Sequence, residues 1–256
     1  MAAIAIKQLP SGALIPVIGL GVFQSEPGAE TYNAVLSALK IGYRHIDTAH
    51  YYSNEADVGR AIVDSGVPRE QVFVTTKYFS FSWSYNDVVE AVKKSVERIG
   101  GGYIDLYLLH APCNPKNRED AWRALEDMQK EGLVRDIASR QSDRVHPFIS
   151  LAPLVKYCES QDILLQAYSP LVQAKKMNDP TLNAIAMEVE ATPAQVLLAW
   201  TLAKCFITLP KSVKESRQKE NLDSYKVKLS EDQVARLDTL DEHFLVGWDA
   251  IETHAV

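Results

Sequence analysis

A repeated unit constrains this chain more than any single motif: a short β-rich run, a polar turn, then an amphipathic helix. The β-rich runs are VIGLGVF (17–23), YRHIDT (43–48), VFVTTK (72–77), IDLYLLH (104–110), LVRDIA (133–138), ILLQAYSP (163–170) and FITLPK (206–211). Between them lie helical patterns such as TYNAVLSALKIG, YNDVVEAVKKSVERIGGG, EDAWRALEDMQKEG and TPAQVLLAWTLAK, with apolar residues three and four apart and several glycines at the ends. LSEDQVARLDTLDE opens with Ser230 and carries Gln233 three residues on, a capping-box pattern. Strands alternating with helices at roughly 30-residue spacing predict a parallel sheet, open or closed. No GxGxxG follows a strand, and the glycines at 100–102 read as a turn at a helix end. Polar residues close several different strands: Asp47, Lys77, His110, Tyr168 and Lys211. That is how a β/α barrel builds its active face. The expectation is one domain over residues 1–256, a (β/α)8 barrel of TIM type. Only seven strands can be counted. From Ala138 to Ile163 there is room for one helix, LAPLVKYCESQ, and a polar connection, so one helix-strand unit is missing between Ala138 and His146.

Composition narrows the partners. With 256 residues, 46% of them apolar, the chain can bury a generous core. Its net charge is −6 and no Lys/Arg-rich stripe is present, which argues against a nucleic-acid partner. Cys113, Cys158 and Cys205 lie far apart, with no CxxC and no histidine cluster. Buried reduced thiols are expected, not a disulfide framework or a metal site. The segment MAAIAIKQLPSGALIP lacks a basic region followed by a long apolar one, and no run approaches 18 apolar residues. A cytoplasmic protein without a membrane partner is the expectation.

The chemistry starts from HIDTAHYYSNE, residues 45–55. If the strand ends face one another, a tyrosine meets Lys77, Asp47 and His110. A nearby ammonium stabilises phenolate, an aspartate paired to the lysine keeps it charged and fixed, and a histidine can orient a substrate oxygen. No nucleophile or metal set accompanies them, so hydride addition to a carbonyl fits better than hydrolysis. Each residue also has a plainer reading. Asp47 and Lys77 can be a buried rim ion pair, His110 a core histidine, and Lys211 and Arg217 solvated surface charges. Phe23, Tyr78 and Phe79 follow strand ends, so they read as a wall of an apolar substrate pocket sooner than as core. Trp83 and Phe81 read as a mobile loop over that pocket, and Trp248 as a weaker part of its wall.

These motifs together resemble the aldo-keto reductase family over nearly the whole chain. The resemblance rests on GYRHIDTAHYYSNEADVG, on the strand-end lysine of VFVTTK, on the histidine of IDLYLLHAP, and on LQAYSPL and ITLPKSVKESRQKEN, all in order. It implies that Tyr52 is the proton donor and Tyr51 packing, that Lys77 and Asp47 tune the acid, and that His110 positions the substrate. It also implies a nicotinamide dinucleotide held without a Rossmann fold. Tyr168 would stack on the nicotinamide, with Ser169 and Leu171 around the pyrophosphate. Lys211, Ser212 and Arg217 would hold a 2′-phosphate, and Glu220 and Asn221 would meet the adenine. Two cations and a hydroxyl suit a phosphate dianion, so NADPH (NADP+) is expected over NADH.

The departures from the family lie in two places. Where relatives continue with Gly-Val-Ser-Asn, a helix and a strand carrying Asn-Gln, this chain passes from DIAS through RQSDRV to HPF. The carboxamide ligands of that stretch have no counterpart; Ser139 is a poor substitute and Gln141 does not align. The unit is either present in the molecule but not in the sequence as written, or truly lost with a distorted barrel, or lost in a protein that uses the fold differently. Ala111 follows the histidine where many relatives carry Trp, which would admit a bulkier carbonyl compound. The reading is a monomeric NADPH-dependent reductase of a small-molecule aldehyde or ketone. Its rivals are a catalytically silent relative that binds a ligand or partner, and an isomerase on the same barrel.

Overall fold

The computed structural model describes residues 5–9, 11–80, 83–111, 116–139 and 145–246; Phe81, Pro112, Cys113, Gln141 and Trp248 fall outside them. The chain opens with an antiparallel hairpin, β1 (Ile6–Gln8) and β2 (Leu14–Pro16). Then follow β3 (Leu20–Gly21), α1 (Ala29–Ile41), β4 (His45–Asp47), α2 (Glu55–Asp64), β5 (Phe73–Tyr78), α3 (Tyr85–Ile99), β6 (Ile104–Leu109), α4 (Arg118–Lys130) and β7 (Val134–Ser139). The second half holds α5 (Ala152–Ser160), β8 (Gln166–Tyr168), α6 (Pro180–Glu188), α7 (Pro193–Ala203), β9 (Ile207–Leu209), α8 (Glu215–Asp223) and α9 (Glu231–Asp238).

Strands β3 to β7 pair in parallel in chain order, and β8 pairs in parallel with β9. Single bridges from Ile18 to Thr208 and from Gly21 to Lys211 join β9 to β3. The wall therefore runs β8-β9-β3-β4-β5-β6-β7. This is the (β/α)8 architecture short of one helix-strand unit, because among the described residues no pairing joins β7 to β8. All seven strands expected from the sequence are present. ILLQAYSP contributes only Gln166–Tyr168 to its strand, paired on one side.

The packing shows the same break. Inside the barrel, Phe73, Leu106, Leu108, Ile207 and Leu209 pack with Leu9 and Ile15, so the hairpin closes the lower end. Ser11 donates to Asp136 at 2.6 Å and fixes that lid to β7. Ala138 and Leu164, on the two sides of the opening, reach this interior cluster but stay half-buried. Outside the wall, one cluster joins β3–β6 to α1–α4 and a second joins β8 to α5, α6 and α7.

Helix ends follow local chemistry. Ser84 and Asp179 each accept a backbone N–H at the start of α3 and α6, and Ser230 with Gln233 forms the expected capping box of α9. Thr192 with Gln195 forms another on α7 that the sequence reading passed over. Gly59 lets α2 lie against the end of α3: a Cβ there would sit 2.4 Å from the carbonyl oxygen of Ile99. Cys158 is buried as expected, but Cys205 is exposed, because the chain turns at φ 61° as it leaves α7. Among the described residues no helix is long and apolar enough to cross a membrane.

Candidate active site

The parallel register brings the polar strand ends to one rim. Gly21 lies beside Asp47 on one side and is bridged to Lys211 on the other; Asp47 pairs with Thr75, and Lys77 with Leu108. The backbone of His110, just past β6, donates to Tyr78 O at 2.9 Å. Asp47, Lys77 and His110 thus leave three adjacent strands toward the same end, while Tyr52 arrives on the 3-10 turn His50–Tyr52 that follows β4.

Their geometry is compact. Lys77 Nζ donates to Asp47 Oδ1 at 2.7 Å and to Thr48 O at 2.8 Å, and the lysine and aspartate are 4% and 5% exposed. The ammonium lies 5.4 Å from the centroid of the Tyr52 ring. The His110 ring, also buried, meets the Tyr52 ring edge-on with centroids 5.6 Å apart. These four residues come together as the sequence reading expected. Behind them, Glu55 is buried and accepts from Thr76 Oγ1 (2.7 Å) and Arg98 Nη1 (3.2 Å), tying α2 and α3 to the strand that carries Lys77. Arg98 also donates to His50 Nδ1 at 2.9 Å, and burial, then the Arg98 charge, holds the His50 imidazole below its ordinary range against the pull of Glu55.

Deeper in the barrel, His45 spans two strands. Its Nδ1 contacts Pro16 O at 3.1 Å and its Nε2 contacts Thr75 Oγ1 at 3.0 Å, an arrangement that suits a neutral ring donating to the carbonyl and accepting from the hydroxyl. Burial pushes its pKa down to about 4, partly opposed by Asp47.

Aromatic rings surround the rim. Phe23 is 46% exposed with its ring 5.0 Å from Tyr52, and half-buried Phe79 stands edge-on to His110 at 6.5 Å. One expectation needs correction. Tyr51 is not packing: it is 70% exposed and stands edge-on to Phe79 at 6.2 Å, because the short turn that aims Tyr52 inward leaves its neighbour outside. Trp83, expected in a loop over the pocket, is 3% exposed and backs Tyr78 and Phe79 at 6.0 and 6.1 Å. Ala111 is likewise buried.

The residues expected to hold a dinucleotide lie along the ends of β8 and β9. Tyr168 closes β8 opposite Leu209, and Ser169 and Leu171 follow it half-buried. Lys211 and Arg217 are exposed and form no ion pair among the described residues; Lys211 Nζ donates to Gln24 O at 3.1 Å. The Ser212 hydroxyl is buried and contacts Lys214, just before α8. Two cations without a carboxylate partner among the described residues, on the segment that leads from β9 into α8, have the chemistry to hold a phosphate dianion. Glu220 accepts from Thr192 Oγ1 at 2.5 Å, and Asn221 is buried at the end of α8.

Comparison with known proteins gives a family. A model of the Aldo/keto reductase family matches residues 17–146 and 144–242. The chain is 38% identical to an uncharacterized oxidoreductase, YtbE, of Bacillus subtilis (strain 168) over 265 aligned positions, which cover 94% of each chain. It is 37% identical to a glyoxal reductase of the same organism, again over 94% of each. A 9,11-endoperoxide prostaglandin H2 reductase of Trypanosoma cruzi (strain CL Brener) is 36% identical over 94% of this chain and 93% of its own. The crystal structure of MGS-M4, an aldo-keto reductase from a Medee basin deep-sea metagenome library, superposes with a TM-score of 0.90 at 32% identity, covering 96% of this chain and 98% of that one. Since 94% of 256 residues is about 241, roughly two dozen of the 265 positions aligned with YtbE face a gap in this chain. The family match falls into two segments that overlap at 144–146, in the stretch between β7 and β8.

Proposed function

This chain belongs to the aldo/keto reductase family, and from that premise we propose that it reduces an aldehyde or ketone to the alcohol with NADPH, Tyr52 giving the proton. The observation that carries the reading is the Tyr52, Lys77, Asp47 and His110 cluster at one rim. When bound, the nicotinamide supplies the hydride. The protein supplies the acid and its setting. As a carbonyl oxygen gains negative charge, Tyr52 donates a proton to it, and the Lys77 ammonium stabilises the phenolate left behind. Asp47 and the Thr48 carbonyl hold that ammonium in place. His110 stands beside the Tyr52 ring, where it can orient the carbonyl oxygen. Lys211, Ser212 and Arg217 would hold the 2′-phosphate, which favours NADPH over NADH. Phe23, Tyr51 and Phe79 favour an apolar, planar substrate at the rim.

The opening between β7 and β8 supports a second reading, a catalytically impaired relative that binds a ligand or partner. In the family the carboxamide ligands lie on the missing unit, and we assign none here. NADPH oxidation in the presence of an aldehyde separates the two. On the reductase reading the wild type turns over and Tyr52→Phe loses about a hundredfold or more in kcat while still binding NADPH. Folded protein without any turnover would favour the impaired relative.

A further inference from the structure

Asn54, at the N-cap of α2, is fully buried and makes no side-chain cap. An asparagine in that position ordinarily accepts a backbone N–H from the first turn of its own helix. Here its side chain turns away to other parts of the chain. Oδ1 accepts from Thr48 Oγ1 at 2.8 Å, and Nδ2 reaches Val22 O at 3.2 Å, Thr31 Oγ1 at 3.3 Å and Ser25 O at 3.4 Å. A local rule is broken at a functional rim, and the structure shows what replaces it.

Val22 and Ser25 are the two ends of a tight turn, closed by Ser25 N donating to Val22 O at 3.1 Å. Phe23 and Gln24 are its central residues. Gln24 sits at φ 59°, a conformation that favours glycine or asparagine, so the turn needs support from outside. Asn54 holds both end carbonyls, and Lys211 holds the carbonyl of Gln24. Phe23 is left as the projecting side chain, its ring 5.0 Å from that of Tyr52. Asn54 is also two residues beyond Tyr52, and Thr48, which it binds, follows Asp47 and offers its carbonyl to Lys77.

We propose that Asn54 is a positioning residue: its amide ties the turn bearing Phe23 to the segment bearing Tyr52, and so sets the wall against which a carbonyl substrate is held. The proposal rests on the reductase reading for its kinetic consequence, and on geometry alone for the placement of Phe23.

The test is Asn54→Ser. The serine hydroxyl is too short to reach the turn, and α2 loses no side-chain cap, because Asn54 makes none. The expected result is a folded protein with a lowered melting temperature, because the buried groups of Val22, Ser25 and Thr48 lose their amide partner, together with a KM for benzaldehyde raised about tenfold, kcat within about twofold, and little effect on propanal, which is too small to lean on Phe23. Phe23→Ala should give the same pattern, and the double variant should be no worse than either single one. Equal losses in kcat for both aldehydes, or additive effects in the double variant, would overturn the proposal. A second readout does not need turnover. With Phe23→4-fluorophenylalanine as the probe, the fluorine resonance should shift or broaden when Asn54→Ser is added; an unchanged spectrum would overturn the clamp. A changed spectrum in a protein that reduces no carbonyl compound would keep the clamp and remove the reductase reading.

Discussion

Asp47→Asn keeps the shape of the side chain and removes its charge, leaving the Lys77 ammonium buried without its counterion. The two atoms are 2.7 Å apart, and both side chains are below a tenth exposed, so solvent screens the pair little. At an effective dielectric near ~20 their attraction is about 6 kcal/mol, from which desolvation must be subtracted. Breaking one side of such a pair costs about 3–5 kcal/mol. Lys77 retains Thr48 O at 2.8 Å, which places this case at the lower end, about 3 kcal/mol. Against a typical net stability of roughly 5–15 kcal/mol, that loss is easily measured. Urea unfolding at neutral pH should show a lower midpoint at unchanged slope. Lys77→Met should cost a similar amount by stranding the carboxylate. Asp47→Asn with Lys77→Met removes both charges, so its cost should fall short of the summed single costs by about 2 kcal/mol. Strict additivity would refute the claim that the two charges hold each other.

His45 gives an acid limb to stability. Its folded pKa is about 4 against an ordinary 6.5, so between these values the unfolded chain binds more protons and stability rises with pH. This contribution is full above pH 6.5 and lost as pH falls toward 4, on the order of 3 kcal/mol; the urea midpoint should drop over that window, and the drop should flatten in His45→Gln. Lys211→Ala with Arg217→Ala should weaken NADPH binding by at least about thirtyfold and NADH by only a few-fold, read by cofactor fluorescence; equal losses would contradict the 2′-phosphate assignment. Gly59→Ala should cost about 2–3 kcal/mol, because its Cβ would meet the backbone of Ile99 at 2.4 Å and separate α2 from α3. Unchanged melting would show that the helices part freely.

Much of this was legible in the sequence for identifiable reasons. Several barrel strands are apolar runs that end in a polar residue, and Asp47, Lys77 and His110 meet because parallel register aligns those ends. The missing unit was visible as a shortage of residues between Ala138 and His146, and among the described residues no pairing joins β7 to β8. The lower hairpin was passed over, although Ser11-Gly12 is an ordinary turn signal between short apolar runs. Tyr51 was misplaced because the exposure of an aromatic beside a turn depends on the turn's direction, which spacing alone does not fix. Asn54 had no signal of its own. Its partners, Val22, Ser25, Thr31 and Thr48, are scattered along the chain, and an asparagine before a helix reads as a cap.

The most direct test of the central claim is isotope transfer. NADPH deuterated on the hydride-donating face of nicotinamide C4 would be incubated with the protein and an aldehyde, and the product examined by mass spectrometry. The account predicts one deuterium on the carbinol carbon of the alcohol, with the transfer abolished or slowed about a hundredfold or more by Tyr52→Phe. Product without deuterium would contradict it, as would no alcohol at all from folded protein that binds the cofactor.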